Sequence, residues 1–387
     1  MEKRCRKMKH ITTFLIIALF LSSCEKKDMG CIPIAGYDDK PLTNGERIIY
    51  DDFYTVQLST DSSCILTQIR KIDFIDTLII VDDINGVYSF DTSGNKICKY
   101  GEKGHGRGEY VNISSMWVDK EARKICLLDD YRCQILKFSL EGKLDEIQKI
   151  RKGNTVENIF NSELISRDKL FASKYLFNQT DDAYSVVKLH EQKSYSIMSY
   201  RMETQNTAEY LGLHQFSVYD GSVLFLMPFK KEIYTIVDDQ PGMKYIINTV
   251  KEQMTDDEIS KINNFNFFSL TQMISSSKFK GFTDVFETKD NLLLTFSNYD
   301  YFLVDKKHQK GRRYMYQTDE PCSKLPLFNI ISTKDDYFVG VLYVWEKQNL
   351  ELESIDNSFM KELNRVISSM EDNSNPVLLF YKLKYEI

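Results

Sequence analysis

A chain of 387 residues with 24 Phe, 23 Tyr and 7 Pro is long enough to bury a substantial core, and its aromatic bias favours strands over long disordered segments. The formal net charge is −6, but Lys3, Arg4, Arg6, Lys7 and Lys9 against Glu2 give the first 23 residues +4, so the remainder stands near −10. With no basic stripe expected in that remainder, its body is a poor candidate for binding nucleic acid or an anionic membrane surface.

The N-terminus has a basic segment up to Lys9, an apolar run Ile11 to Leu21, and then Leu21-Ser22-Ser23-Cys24. This is the pattern of a secretory signal with a small-residue cleavage site. As a helix the apolar run spans about 16 Å at ~1.5 Å per residue, against ~30 Å of hydrocarbon, which argues against a permanent transmembrane anchor. The Leu-Ser-Ser-Cys ending resembles a bacterial lipobox. That resemblance implies that the Cys24 thiol is acylated and becomes the first residue of a Gram-negative envelope lipoprotein, held to the outer membrane through its N-terminal lipid. An ordinary signal peptide ending near a cysteine and an uncleaved anchor are the competing readings. The expected division is a signal peptide over 1–23, a tether and loop over 24–45, and one folded domain over 46–387. Asp38-Asp39-Lys40-Pro41 and Asn44-Gly45 supply the loop character.

Downstream the chain repeats. Val87-Tyr88-Ser89-Phe90, Ile135-Leu136-Lys137-Phe138 and Val186-Val187-Lys188-Leu189 alternate as half-buried strands would, and Ile233-Tyr234-Thr235-Ile236, Tyr301-Phe302-Leu303-Val304 and Phe380-Tyr381-Lys382-Leu383 continue the series. Their last members are 48, 51, 47, 68 and 79 residues apart. The two long spacings each contain a segment of helical character. One opens at Thr255-Asp256-Asp257-Glu258, a capping-box pattern, and runs to Ser275; the other, Asp356 to Met370, puts Phe359, Leu363, Val366, Ile367 and Met370 on one helical face. Without these insertions the period returns to about 48 residues, the size of a four-stranded propeller blade.

Within the first unit the strands are expected at Gln68 to Ile75, Thr77 to Val81, Gly86 to Phe90 and Lys96 to Lys99, with turns at Asp82 to Gly86 and Asp91 to Asn95. The last unit, ending at Val377 to Ile387, lacks an outer strand, and Phe53 to Leu58 has no unit of its own. The N-terminal strand is therefore expected to complete the final unit and close the ring. The fold class expected is all-β, a six-bladed β-propeller with short helical insertions in the later blades.

Phe90-Asp91-Thr92-Ser93-Gly94, followed by Lys99-Tyr100-Gly101-Glu102-Lys103-Gly104-His105-Gly106-Arg107-Gly108-Glu109-Tyr110, resembles the blade connection of NHL-type six-bladed propellers. More narrowly it is similar to envelope lipoproteins of Gram-negative anaerobes with that fold. The resemblance covers two units, Gln68 to Ile150, and departs from the usual pattern where Asn112-Ile113-Ser114 replaces a proline-containing turn. The same glycines do not fit a phosphate cradle, because a strand-like Ser114 to Val118 follows them instead of a helix and no Gly-Lys-Ser/Thr is present.

Other chemistry is sparse. His105, His190, His214 and His308 are never three or four residues apart, and no CxxC pair occurs. No catalytic, cofactor-binding or metal-binding residue is assigned, and no cofactor is expected. Besides Cys5 and Cys24, cysteines stand at 31, 64, 98, 126, 133 and 322. Cys126 and Cys133 could pair across a hairpin, but buried free thiols are the preferred reading. The Asp-Asp pairs at 82, 129 and 238 are expected to mark turns, not acid–base dyads. Asp76-Thr77-Leu78 resembles a short O-glycan acceptor of some Gram-negative envelope proteins. The reading that results is a binding or interaction module of the cell envelope with an envelope protein or glycan as partner. The alternatives are a lyase or hydrolase acting at the channel, and an uptake-complex subunit docking through the two helical insertions.

Overall fold

The computed structural model describes residues 31–35, 47–150, 159–166, 168–174, 182–191, 193–199, 216–227, 229–249, 251–255, 257–258, 277–296, 300–314, 329–349 and 358–386. Two strands, β1 (Ile32–Ala35) and β2 (Arg47–Gln57), come first, and the strands after them pair antiparallel in groups of four. The first group is β3 (Ile69–Ile75), β4 (Leu78–Asp83), β5 (Gly86–Phe90) and β6 (Lys96–Lys99), within two residues of the expected bounds. The second is β7 (Ser115–Asp119), β8 (Lys124–Asp129), β9 (Gln134–Ser139) and β10 (Leu144–Lys149). The third is β11 (Ile159–Ser166), β12 (Lys169–Lys174), β13 (Asp182–Lys188) and β14 (Lys193–Ser199). Then come β15 (Phe216–Tyr219), β16 (Ser222–Leu226), β17 (Glu232–Val237) and β18 (Gln240–Asn248), followed by β19 (Asp284–Glu287), β20 (Asn291–Thr295), β21 (Tyr301–Asp305) and β22 (Lys310–Tyr314). The last group contains β23 (Ile330–Lys334), β24 (Tyr337–Leu342) and β25 (Val377–Glu386). The architecture is all-β and propeller-like.

Short-range chemistry sets the hairpins. Asp91 Oδ1 accepts the amides of Ser93 (2.9 Å) and Asn95 (2.8 Å), an Asx turn that fixes the β5–β6 connection where turn residues were expected. The burial pattern differs from expectation. All five residues of β5 are buried, so Val87 to Phe90 is not a half-buried strand. The reason is that alternate residues of a middle strand pack on opposite neighbours. Ile79 and Val81 of β4 pack with Val339 and Val341, while Ile80 joins Ile125 and Leu127 of β8. Cys126 and Leu128 turn instead to Leu170 and Ala172 of β12. Phe171 meets Phe225, Leu224 and Leu226 meet Leu292 and Leu294, and Leu293 meets Phe338 and Leu379. Apolar packing thus passes from each group to the next and returns from the last to the first. Both phases of a two-residue period are buried, giving nearly continuous apolar strands.

The N-terminal strand takes the expected place, over a longer span. β2 pairs antiparallel with β25 from Arg47↔Glu386 to Gln57↔Val377, giving the order β2-β25-β24-β23. Asn375 locks the junction: its Oδ1 accepts the Leu66 amide (2.8 Å), and its Nδ2 donates to the Ser59 (2.8 Å) and Cys64 (2.9 Å) carbonyls. The stretch expected as tether and loop needs correction at Ile32–Ala35. There β1 runs parallel to β18 and touches β22, joining two groups into a nine-stranded sheet, with Ile34 fully buried. Four residues that include a proline carry no readable period, yet they cover two otherwise open strand edges.

One helix, α1 (Ser358–Ser369), falls within the later insertion, and Leu363, Val366, Ile367 and Met370 pack against Phe286 and Leu342. At the earlier one, the Thr255 amide donates to Glu258 Oε2 (2.9 Å) and the Glu258 amide to Thr255 Oγ1 (3.2 Å), a reciprocal capping box. Residues 259–276 of that insertion lie outside the described residues.

Strands β3, β7, β11, β15, β19 and β23 each end their group of four; β3 touches β7 and β23, β7 touches β11, and β15 touches β19 and β23. Antiparallel alternation places the first–second and third–fourth hairpins of each group at one end of these strands. Among the described residues, the second–third turns of the first two groups and the crossover between those groups fall at the other end.

Candidate functional site

The innermost strands surround a cavity of about 740 Å3. Its polar wall includes Lys71 and Asp73 of β3, Lys120 just after β7, Glu163 of β11, Tyr219 of β15 and Ser332 of β23. Lys71 and Asp73 are two residues apart and share one side of β3, while Ile72 between them joins the apolar packing with Val339.

Lys71 is fully engaged. Its Nζ donates to the carbonyls of Met116 and Ser162 (2.9 Å each) and to Glu163 Oε2 (2.6 Å), tying three groups together at the axis. Burial pushes the Glu163 carboxyl above its ordinary range, with Lys71 opposing and Asp73 adding to the rise. Ser332 Oγ donates to the Ile72 carbonyl at 2.9 Å. Asp73 is different: Oδ1 accepts the Phe74 amide (2.7 Å) and lies 3.9 Å from Lys120 Nζ, but Oδ2 is buried and has no hydrogen-bond partner. A buried acceptor without a donor is costly and invites one from a ligand.

At the hairpin end, Asp76, Asp220 and Asp335 occupy turns with φ of 52°, 48° and 53°. The lining carries three lysines against six carboxylates, net −3. Asp76 pairs with Arg123 at 2.7 Å, though both are more than half exposed, and Lys334 Nζ lies 5.1 Å from the Phe74 ring centroid. Phe74, Phe216 and Phe286 add apolar wall. The cavity suits a ligand that offers hydrogen-bond donors or positive charge at an acidic mouth.

The glycine-rich crossover is not such a site. Glu109 Oε2 accepts the Gly106 amide (2.6 Å), the Tyr110 amide donates to the Glu102 carbonyl (3.0 Å), and Arg132 Nη1 donates to the carbonyls of Gly106 (3.0 Å) and Glu109 (2.9 Å). The segment supplies its own anion where a phosphate would sit.

The Asp-Asp pairs divide. Asp83 accepts the amides of Thr67, Gln68 and Asn85, and Asp129 those of Val111 and Arg132, so both pin crossovers and turns. Buried Asp82 forms an ion pair with half-buried Arg70 at 2.5 Å, and Asp238 and Asp239 lie in a turn. Exposed His190 and His308 pair with Asp168 (3.5 Å) and Asp305 (2.7 Å) in different groups, and His105 is also exposed. Cys31, Cys64, Cys98, Cys126 and Cys133 are free thiols, so Cys126 and Cys133 are not bridged; burial raises Cys64 to about 11 and Cys126 to about 12. Thr77 of the Asp-Thr-Leu triplet is exposed beside the cavity mouth. Cys24, His214 and Cys322 lie outside the described residues. Among the described residues no group of three or more His, Cys, Asp or Glu could hold a metal ion, and no helix is long and apolar enough to cross a membrane.

Two features escaped the sequence reading. The cavity wall has no contiguous signal, since Lys71 and Glu163 are 92 residues apart. The other corrects the expected lack of a basic stripe: Lys306-Lys307-His308-Gln309-Lys310-Gly311-Arg312-Arg313 carries five Lys or Arg in eight residues, a cluster hidden by the acidic total.

A family model for a domain of unknown function (DUF4934) matches residues 32–382. No curated protein matches the chain. Among solved structures, a candidate exported protein of Bacteroides fragilis aligns with a TM-score of 0.72 at 18% identity, covering 92% of this chain and 99% of the other. A member of the DUF4221 family from Bacteroides vulgatus aligns with a TM-score of 0.54 at 8% identity, covering 89% and 99%. At these identities the likeness concerns the fold alone.

Proposed function

The chain belongs to the DUF4934 family, and we propose that it is an envelope-anchored six-bladed β-propeller lipoprotein that binds a donor-rich ligand in its axial cavity. The six-bladed reading draws support from the groups of four strands whose apolar interfaces run from first to last and back. NHL-like character rests on the resemblance at Phe90 to Tyr110. Export is supported by the signal-like N-terminus and by the likeness to a candidate exported protein. Attachment to the outer membrane through acylated Cys24 rests on the Leu-Ser-Ser-Cys ending.

The observation that carries the binding role is Asp73 Oδ2, buried and unpartnered in the wall of a cavity large enough for a small organic ligand. A binding protein of this kind needs a rigid, loop-lined pocket and no nucleophile–base constellation. The ligand class follows from the wall: amines, or polyhydroxylated compounds such as a glycan end, which can donate to Asp73. A thermal-shift screen of both classes, followed by calorimetric titration of each hit on wild type and Asp73→Ala, tests this. Hits that lose at least about tenfold in affinity in the variant support the axial site. Hits that bind both proteins equally reject it.

A further inference from the structure

Among the described residues the turn of the β21–β22 hairpin is a strongly basic segment of an otherwise acidic body, and it touches the strand nearest the expected lipid. Ala35 at the end of β1 donates its amide to the Gln309 carbonyl at the hairpin tip (3.0 Å) and lies in register with Lys310. Several of the basic side chains in this segment have partners within the fold. Lys306 pairs with buried Glu287 at 2.8 Å, Arg313 with Asp300 at 2.6 Å, and the His308 ring with Asp305 at 2.7 Å. Of the acidic residues beside the hairpin, Asp300 and Asp305 are held in those pairs, and Asp290, whose carbonyl accepts the Lys306 amide (3.0 Å), stands next to exposed Lys289. Lys307 and Lys310 remain, both exposed and, among the described residues, without an ion pair.

The place at which the chain enters β1 matters as much as the charge. Seven residues lie between Cys24 and Ile32, and the eight steps along the chain can span no more than about 29 Å. A lipid on Cys24 therefore keeps β1, at the junction of the fourth and fifth strand groups, within about 29 Å of the bilayer. A tether of that length raises the local concentration of surface phosphates at the hairpin, so two weak ammonium contacts become effective without further affinity.

We propose that the β21–β22 hairpin is the membrane-facing surface of the domain, with Lys307 and Lys310 set against the phosphates of anionic phospholipids beside the anchor. The proposal rests on the reading of Cys24 as the anchor point, and the two can fail separately. Intact mass of protein extracted from the envelope shows whether Cys24 is acylated, and an unmodified Cys24 rejects the lipid alone. For the hairpin, the chain from residue 24 onward, which keeps every described residue, is given Cys24→Ala and an N-terminal hexahistidine tag. It is then held on nickel-chelating lipid in vesicles of phosphatidylcholine with or without phosphatidylglycerol. A membrane-impermeant amine reagent is applied and lysine labelling is read by peptide mass. The expected result is at least about fivefold slower labelling of Lys307 and Lys310 on the phosphatidylglycerol vesicles, reversed by high salt, with exposed Lys143 unchanged. Equal labelling of Lys307 and Lys310 on both vesicles, or slowing that matches Lys143, overturns it.

Discussion

In the glycine-rich crossover, Glu109 takes the Gly106 amide and Arg132 takes two of the loop's carbonyls, whereas the axial cavity leaves a buried oxygen of Asp73 without a donor. The crossover is conspicuous in sequence and closed in structure. The cavity is invisible in sequence and chemically open. Glycines at short spacing advertise a backbone that must bend, and here the bend serves to carry the chain from one sheet to the next. The cavity wall, by contrast, is assembled from single residues of several repeats, none of which looks unusual in its own strand.

The largest effect expected comes from opening the ring that gives the cavity its walls. Deleting Asp52 to Ser59 strips six of the ten β2–β25 residue pairs and removes buried Val56 and Leu58. Two buried aliphatic side chains alone are worth about 3–6 kcal/mol, and the lost hydrogen bonds add to that. The melting temperature should fall by about 10 °C or more, read by calorimetry. An unchanged melting temperature would mean that the N-terminal strand does not close the structure.

Next in size is Lys71→Met, which breaks the pin at the cavity's depth. It leaves Glu163 and two carbonyls without their common donor, at a cost of about 3–5 kcal/mol by chemical denaturation. Adding Glu163→Gln should restore a substantial part. The sign with pH follows from the raised carboxyl of Glu163. The stability associated with its protonated form is present below about 4.5, its unfolded value, and is lost as pH rises through the folded one. The Lys71→Met variant should therefore lose less stability at pH 4 than at pH 7, and a pH-independent loss would mean that Lys71 is not balancing Glu163.

The crossover's claim to be architecture is tested by Gly101→Val. Gly101 has φ of 72°, and a Cβ there would lie 3.1 Å from the Phe138 ring and 3.3 Å from Tyr110. A β-branched residue fits neither the dihedral nor the space, so a loss of about 2–3 kcal/mol is expected with ligand binding at the axis unchanged. Loss of binding without loss of stability would restore the crossover as a recognition loop.

What could be read from sequence follows the same division. Strands and turns of the first sheet were legible because Asp91 to Asn95 and Gly86 to Phe90 act over a few residues. Closure was legible because Phe53 to Leu58 had the pattern of a strand without a sheet. The burial of both strand faces was not, since alternation inside one strand does not say that the opposite phase also meets a neighbour. β1 gave no period in four residues, and the basic hairpin was averaged away by an acidic total. Cavity residues such as Lys71 and Glu163 meet only when separate sheets come together around one axis, a contact that no local pattern encodes.

The smallest stability effect expected belongs to Asp73, the residue on which the proposed binding role rests. In Asp73→Asn the retained oxygen can still accept the Phe74 amide, and the distant contact to Lys120, 3.9 Å away and with that lysine 66% exposed, is worth little. The variant also removes a carboxylate whose second oxygen has no protein donor, which offsets the cost of burying an amide. Stability should therefore move by no more than about 1 kcal/mol in either direction, while any ligand that donates to Oδ2 loses about tenfold or more in affinity. A residue kept unsatisfied for binding is cheap for the fold to lose; one that holds the wall is not. If denaturation instead shows a loss above about 2 kcal/mol, Asp73 belongs with Lys71 and Glu163 as part of the scaffold. The cavity would then be as internally satisfied as the crossover.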